Sequence, residues 1–240
     1  MPSEVPSFLS TDTGSAAMKA PQDDEAGHQA IAIMAKVNEE SCKDLVEYTE
    51  TLPSTLAGAT IVELGPGAGY ATRAILAKAP ASVTAFELSP VFRRMLAADE
   101  EHCAPAIASG LLKIKDEDAL TGLSRLEGSS VDLIVSMNVV YFLHPLSAYL
   151  AEMTRVLKPG GWLVFGTKPA SAKLGTPVHF VNTDNFVIAE EMTVAGFQNV
   201  SVASPRLVSD PPTPAKYVPV VGQKELAGYV QAVIAEGEVP

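Results

Sequence analysis

The chain has 240 residues, enough for one α/β domain with a sizeable core, and no composition break calls for a second domain. Its formal net charge of -11 at pH 7 argues against nucleic acid or an anionic membrane surface as partner, because either would need a basic face. Two cysteines without C-x-x-C spacing, no basic-then-apolar start and no membrane-length apolar run exclude a disulfide framework, a cysteine-rich zinc site, a secretory signal and a membrane span, so a cytoplasmic protein without a metal is expected.

Residues 1–27 are rich in Ser, Thr, Pro, Asp and Ala and lack apolar periodicity, which predicts a flexible tail. From His28 to Leu52, apolar positions such as Ile31, Met34, Cys42, Leu45 and Tyr48 mostly recur at three- or four-residue spacing. The pattern predicts one long helix with a single apolar stripe, the core of an N-terminal helical cap over 28–58 whose far end is a candidate lid. Pro53 and Gly58 break the pattern. Short apolar runs then follow at 60–64, 83–88, 111–114, 131–136 and 162–167, each with a turn signal and a helix-compatible segment after it. That alternation predicts parallel strands joined by helical crossovers. Leu146, Leu150, Met153 and Leu157 share one helical face, which the Lys158-Pro159-Gly160-Gly161 run should end. Further on come a helix near 184–195, weaker strand candidates at 200–203 and 217–221, and a helix-like stretch at 225–234. The expected organisation is a main domain over 59–222 and a C-terminal helical extension over 223–240.

The most informative stretch is Ile61-Val62-Glu63-Leu64-Gly65-Pro66-Gly67-Ala68-Gly69, a strand that runs into a glycine loop and then a helix. Glycines at 65, 67 and 69 permit positive φ and leave no Cβ between the main chain and a ligand. A dinucleotide fingerprint would place its third glycine where Tyr70 stands, and a pyrophosphate would be repelled by Glu63. S-adenosylmethionine carries no phosphate but does carry an α-ammonium group, which Glu63 can anchor directly or through water. Glu87 closes the next strand beside the loop, where an acid can accept both ribose hydroxyls. A nicotinamide dinucleotide would use such an acid too, so Glu87 points to an adenosine-containing ligand without choosing between the two.

In order along the chain, the loop from Glu63 to Gly69, Glu87, the run Lys115-Asp116-Glu117-Asp118-Ala119-Leu120, Ser136-Met137-Asn138, and Arg155-Val156-Leu157-Lys158-Pro159-Gly160-Gly161 resemble the class I S-adenosylmethionine-dependent methyltransferases, specifically the small-molecule, methyltransferase type 11-like group. The resemblance implies a Rossmann-like, doubly wound seven-stranded sheet of order 3-2-1-4-5-7-6, with the last strand antiparallel and helices on both faces. It also implies S-adenosylmethionine as cofactor, with S-adenosylhomocysteine as its product. Glu63, Gly65, Gly67, Gly69, Glu87 and Leu88 would hold the cofactor, Asp116 would bond the adenine amino group, Glu117 would lie along the adenine, and Asn138 would lie near the methionine part. Pro219 departs from the pattern, because it falls within a strand that the fold would insert between two others.

Methyl transfer from a sulfonium is an in-line displacement with a neutral leaving group, so positioning matters more than acid or base. The candidate catalytic residues are Tyr141, His144 and His179, in loops expected at the carboxyl ends of the strands: His144 or His179 would take a proton where a base is needed, and Tyr141 with Phe142 would wall an apolar acceptor pocket. Each histidine also has a plain reading as a loop or capping residue, and Tyr141 as core. The expected acceptor is a small molecule methylated on O, N or C. The rival readings are a cofactor-binding protein that transfers no methyl or serves another reaction, and a nicotinamide-dependent oxidoreductase. Oligomeric state is not legible.

Overall fold

In a computed structural model, residues 11–53, 56–168, 180–208 and 215–226 are described. The five apolar runs form parallel strands β1 (Thr60–Leu64), β2 (Ser82–Phe86), β3 (Leu112–Lys115), β4 (Val131–Met137) and β5 (Leu157–Thr167). Three further strands follow: β6 (Phe197–Val202), β7 (Arg206–Val208) and β8 (Ala215–Lys224). The sheet order is β3-β2-β1-β4-β5-β8-β6, with β8 antiparallel to both neighbours and short β7 paired to the start of β8. This is the expected Rossmann-like order, with one more strand in the C-terminal hairpin than the sequence announced.

Alternation along the strands builds two cores. Val62, Leu64, Ile134, Leu163, Phe165 and Val220 face one side, where they meet α7 (Ala119–Ser124), α8 (Leu146–Val156) and α9 (Asn185–Val194). Ile61, Leu133, Val135, Trp162, Val164 and Val221 face the other, against α3 (Glu39–Thr49), α4 (Tyr70–Leu76), α5 (Pro90–Ala97) and α6 (Cys103–Ala108). A fully buried aliphatic side chain contributes about 1.5–3 kcal/mol, so burial on both faces is what fixes strand register.

Two sequence expectations are corrected at the N-terminus. Asp12–Lys19 is a helix, α1, not part of a tail: Thr11 caps it by accepting from the Gly14 N–H at 3.0 Å, and Ala17 is buried. The long helix is two, α2 (Glu25–Val37) and α3, which meet at Asn38. Asn38 stands at the break, and its side chain is tied to Asn138, a hundred residues away. Residues 1–10 and 227–240, the latter holding nearly all of the 225–234 helix candidate, lie outside the described residues.

Pro219 is accommodated inside β8. Its carbonyl accepts from the N–H of Ala203, the residue just past the end of β6, so the edge on which Pro219 lacks a donor is the one where β6 has already stopped. The Lys158–Gly161 segment does not end in a loop; it continues into β5, with the register against β4 slipping between Val131 and Leu133.

Candidate functional site

Strand β1 delivers the glycine loop to the carboxyl edge of the sheet. The Gly65 N–H donates to the Phe86 carbonyl at 2.9 Å, and the Gly69 N–H closes a turn on the Pro66 carbonyl, also at 2.9 Å. All three loop glycines have positive φ, 61° at Gly65, 54° at Gly67 and 82° at Gly69, and Gly69 caps α4 without a side chain. A Cβ on Gly67 would meet nothing nearer than the Phe92 ring at 3.9 Å. The main chain there is bare and lines the cleft beside the Phe92 ring, which suits a flat nucleoside lying against it.

Two buried carboxylates flank that stretch. Glu63 is 2 % exposed and accepts from the Thr72 hydroxyl at 2.7 Å; burial, reinforced by the charge of Glu87, pushes its pKa up to about 7. Glu87 is 4 % exposed and accepts from the backbone N–H groups of Gly67 at 3.0 Å and Ser89 at 2.8 Å. Burial raises its pKa as well, and those N–H groups pull it back. Each carboxylate oxygen has two lone pairs, so both acids keep capacity for ligand donors. Leu88 lines the same cleft, and its carbonyl and that of Glu87 are held by the Arg93 guanidinium at 2.8 Å.

The acidic run after β3 is sorted by the fold. Asp116 is exposed and pairs with Arg93 at 2.7 Å, and it is not among the residues that line the cleft. Glu117 lines the cleft and pairs with Arg125 at 2.8 Å. Asp118 lines it too, capping α7 through the Leu120 N–H at 2.9 Å and accepting from the Tyr149 hydroxyl at 3.1 Å. Sequence reasoning did not give Asp118 a site role, although an acid directly before a helical Ala-Leu is an N-cap signal.

The opposite wall comes from the loop after β4 and from the N-terminal helices. Asn138 adopts left-handed φ of 59°, bonds the Gly166 carbonyl through its N–H at 2.8 Å, and donates from Nδ2 to Asn38 Oδ1 at 3.0 Å. Of the proposed catalytic residues, Tyr141 is turned into the core by the short 3-10 turn Val140–Phe142; its hydroxyl lies between Asn138 Oδ1 at 3.4 Å and the backbone of Lys168. Its neighbour Phe142 lines the cleft instead. His144 is exposed, outside the cleft wall. His179 lies outside the described residues. Among the described residues no histidine lines the cleft, and no group of His, Cys, Asp and Glu could hold a metal. Met18, Lys19, Met34, Asn38 and Cys42 complete the wall, brought in by α1 to α3, and sequence reasoning gave none of them a site role. No described helix is long and apolar enough to cross a membrane.

Residues 62–165 match the family described as a methyltransferase domain. The chain is 32 % identical over 120 residues to ubiquinone biosynthesis O-methyltransferase of Methylococcus capsulatus, covering 50 % of this chain and 48 % of that protein. It is 29 % identical over 140 residues to dimethylglycine N-methyltransferase of Parasynechococcus marenigrum, covering 58 % and 46 %. The chain thus spans about half the length, or less, of the curated relatives it matches. In fold it resembles a chain from the complex between the Haloferax volcanii Trm112 methyltransferase activator and its methyltransferase, with a TM-score of 0.64 at 18 % identity, covering 88 % of this chain and 97 % of that one. The ordered motifs, the sheet order and these relatives agree: over residues 62–165 the chain matches a methyltransferase domain and is similar to the class I S-adenosylmethionine-dependent methyltransferases.

Proposed function

We propose that the protein transfers the methyl group of S-adenosylmethionine to a small-molecule acceptor by in-line displacement, leaving S-adenosylhomocysteine. The observation that carries this reading is the bare main chain at Gly67 between two buried carboxylates, Glu63 and Glu87. Glu87 accepts the ribose hydroxyls while its own backbone bonds hold it in place. Glu63 accepts the α-ammonium group and gives up its proton to do so, because a cation beside it offsets the burial that keeps it neutral. Glu117 and Asp118 border the adenine end, and Asn138 borders the methionine end. Bound there, the cofactor supplies a methyl carbon on a positively charged sulfur. The residues around it fix the line of approach, and such orientation is worth effective molarities of roughly 10⁵ to 10⁸ M in well-aligned reactions.

Calorimetric titration with S-adenosylhomocysteine tests the reading. Saturable 1:1 binding is expected, in preference to reduced nicotinamide dinucleotide; no binding, or the reverse preference, overturns it. Incubation with methyl-labelled cofactor and a metabolite extract then separates transfer from mere binding, since transfer leaves the label on an extract compound.

A further inference from the structure

The two sides of the cleft differ in chemistry. Every carboxylate that lines it, from Glu63 and Glu87 to Glu117 and Asp118, belongs to the sheet-edge side where the cofactor is proposed to lie. The side built by the N-terminal helices and the loop after β4 is walled by apolar groups: Ile31, Met34 and Ala35 follow one another down a single stripe of α2, facing Phe142 and Leu143. Its polar groups are few. They are the amides of Asn38 and Asn138, the thiol of Cys42 and, on the last turn of α1, the ammonium of Lys19.

Their hydrogen-bond roles are already partly fixed. The Asn38 side-chain oxygen accepts from Asn138 Nδ2 and keeps one lone pair, while the Asn38 amide nitrogen is only a donor. Lys19 is exposed, pairs with no carboxylate among the described residues, and is likewise only a donor. An ammonium substrate entering this side would meet the Lys19 cation, with no described acid or imidazole on this side of the wall to offset it. A substrate carrying a negative oxygen or sulfur on an apolar body would meet donors at one end and hydrocarbon along its length.

We infer that the acceptor is an apolar molecule presenting an anionic nucleophile, a phenolate, enolate or thiolate, held by Lys19 and Asn38. This rests on the methyltransferase reading above and names its substrate class. In the transfer, a lone pair on the acceptor forms the new bond to the methyl carbon as the carbon–sulfur pair leaves onto sulfur. An anion and a sulfonium cation both end neutral, so no proton remains to be placed on a protein base. Cancelling two charges is also easier in an apolar slot than in water, where both ions would first shed their hydration.

The test uses the whole chain saturated with S-adenosylhomocysteine and two matched probes, 2-naphthoate and 2-naphthylmethylammonium, followed by fluorescence. The anion is expected to bind at least tenfold more tightly. Lys19→Glu should erase that preference and Lys19→Arg should keep it, with affinity for S-adenosylhomocysteine within twofold of wild type in both. A preference for the cation, equal affinities, no binding of either probe, or a preference untouched by Lys19→Glu overturns the inference while leaving cofactor binding intact. Failure to bind S-adenosylhomocysteine at all would instead remove the reading beneath it. With labelled cofactor, 2-naphthalenethiol should accept methyl in preference to 2-naphthylmethylamine, and the KM for the thiol should rise at least tenfold in Lys19→Glu with kcat changed less than threefold.

Discussion

The cleft has two walls with different origins. The glycine-loop wall is built where β1 and β2 end, from residues close in sequence whose positions follow from strand register: Leu64 pairs with Phe86, so Glu63 and Glu87 arrive on adjacent strands on either side of the loop. The helical wall is assembled from α1, α2, α3 and the loop after β4, held by long-range contacts such as Asn38 to Asn138 and Ser89 to the Pro21 carbonyl. The first wall is a rigid, charged and locally encoded feature; the second is apolar and set by tertiary packing. Shared cofactor chemistry with varied acceptors is what such a division permits.

Substitutions that separate the two walls would sharpen this contrast. The largest effect should come from Gly67→Val, which places a branched side chain into the cleft beside the Phe92 ring and forces a φ of 54° on it. Affinity for S-adenosylhomocysteine should fall by about a hundredfold or more, read by calorimetry, while unfolding free energy falls by only about 1–3 kcal/mol. Retained affinity would place the ligand elsewhere. Next, Glu87→Ala should weaken cofactor binding at least tenfold with the circular dichroism spectrum unchanged, consistent with about 1.5–3 kcal/mol for hydrogen bonds to a charged acceptor.

Glu63→Gln should act in opposite directions on stability and binding. The pKa of Glu63 is raised in the folded chain, to about 7, so between its ordinary value near 4.5 and 7 the folded state holds a proton that the unfolded chain has released. Stability of the ligand-free protein therefore falls as pH rises through that window, and the cost is complete above pH 7. Removing the ionisable group should thus stabilise the ligand-free protein at pH 8 by up to about 3 kcal/mol and leave it nearly unchanged at pH 4. The same change should weaken cofactor binding severalfold. In the wild type, calorimetry in buffers of different ionisation enthalpy should show proton release on binding at pH 6 that vanishes by pH 8. Denaturant midpoints that move equally at both pH values would break the assignment.

The smallest effect should be at Asp116→Ala. Because Asp116 is exposed and paired with Arg93 outside the cleft, cofactor affinity should stay within threefold of wild type. A tenfold loss would place Asp116 at the adenine end.

What was legible in the sequence follows the same division. The strands, the glycine loop and both carboxylates are encoded by local periodicity and turn chemistry, and the structure places them where the pattern indicated. The break between α2 and α3 is hard to see because the apolar stripe runs through it; Asn38, which stands there, has its amide partner a hundred residues away. Helix α1 was invisible because eight residues with few apolar side chains carry little helical signal alone; Ala17 and Met18 gain their burial only from the body they pack on. Strand β7 has three residues, too few for an alternation, and exists because Arg206 and Tyr217 converge on Asp44 of α3. Tyr141 and Phe142 illustrate a finer limit. Adjacent aromatics on a tight turn point in different directions, and only the turn's orientation decides that Phe142 faces the cleft while the Tyr141 hydroxyl meets backbone.

The seating of β8 between β5 and β6 also bears on how the chain comes together. The strand synthesised latest among those described lies between two made earlier, and it is the partner through which β6 joins the sheet; its Tyr217 supplies a hydroxyl to Asp44, 173 residues earlier in the chain. Until it arrives, Val164 and Phe165 of β5 have an unpaired edge, and α3 lacks part of the surface it rests on. A nascent chain stopped short of residue 215 therefore exposes a row of unsatisfied amides flanked by greasy side chains, the kind of surface that recruits chaperones or joins other chains edge to edge.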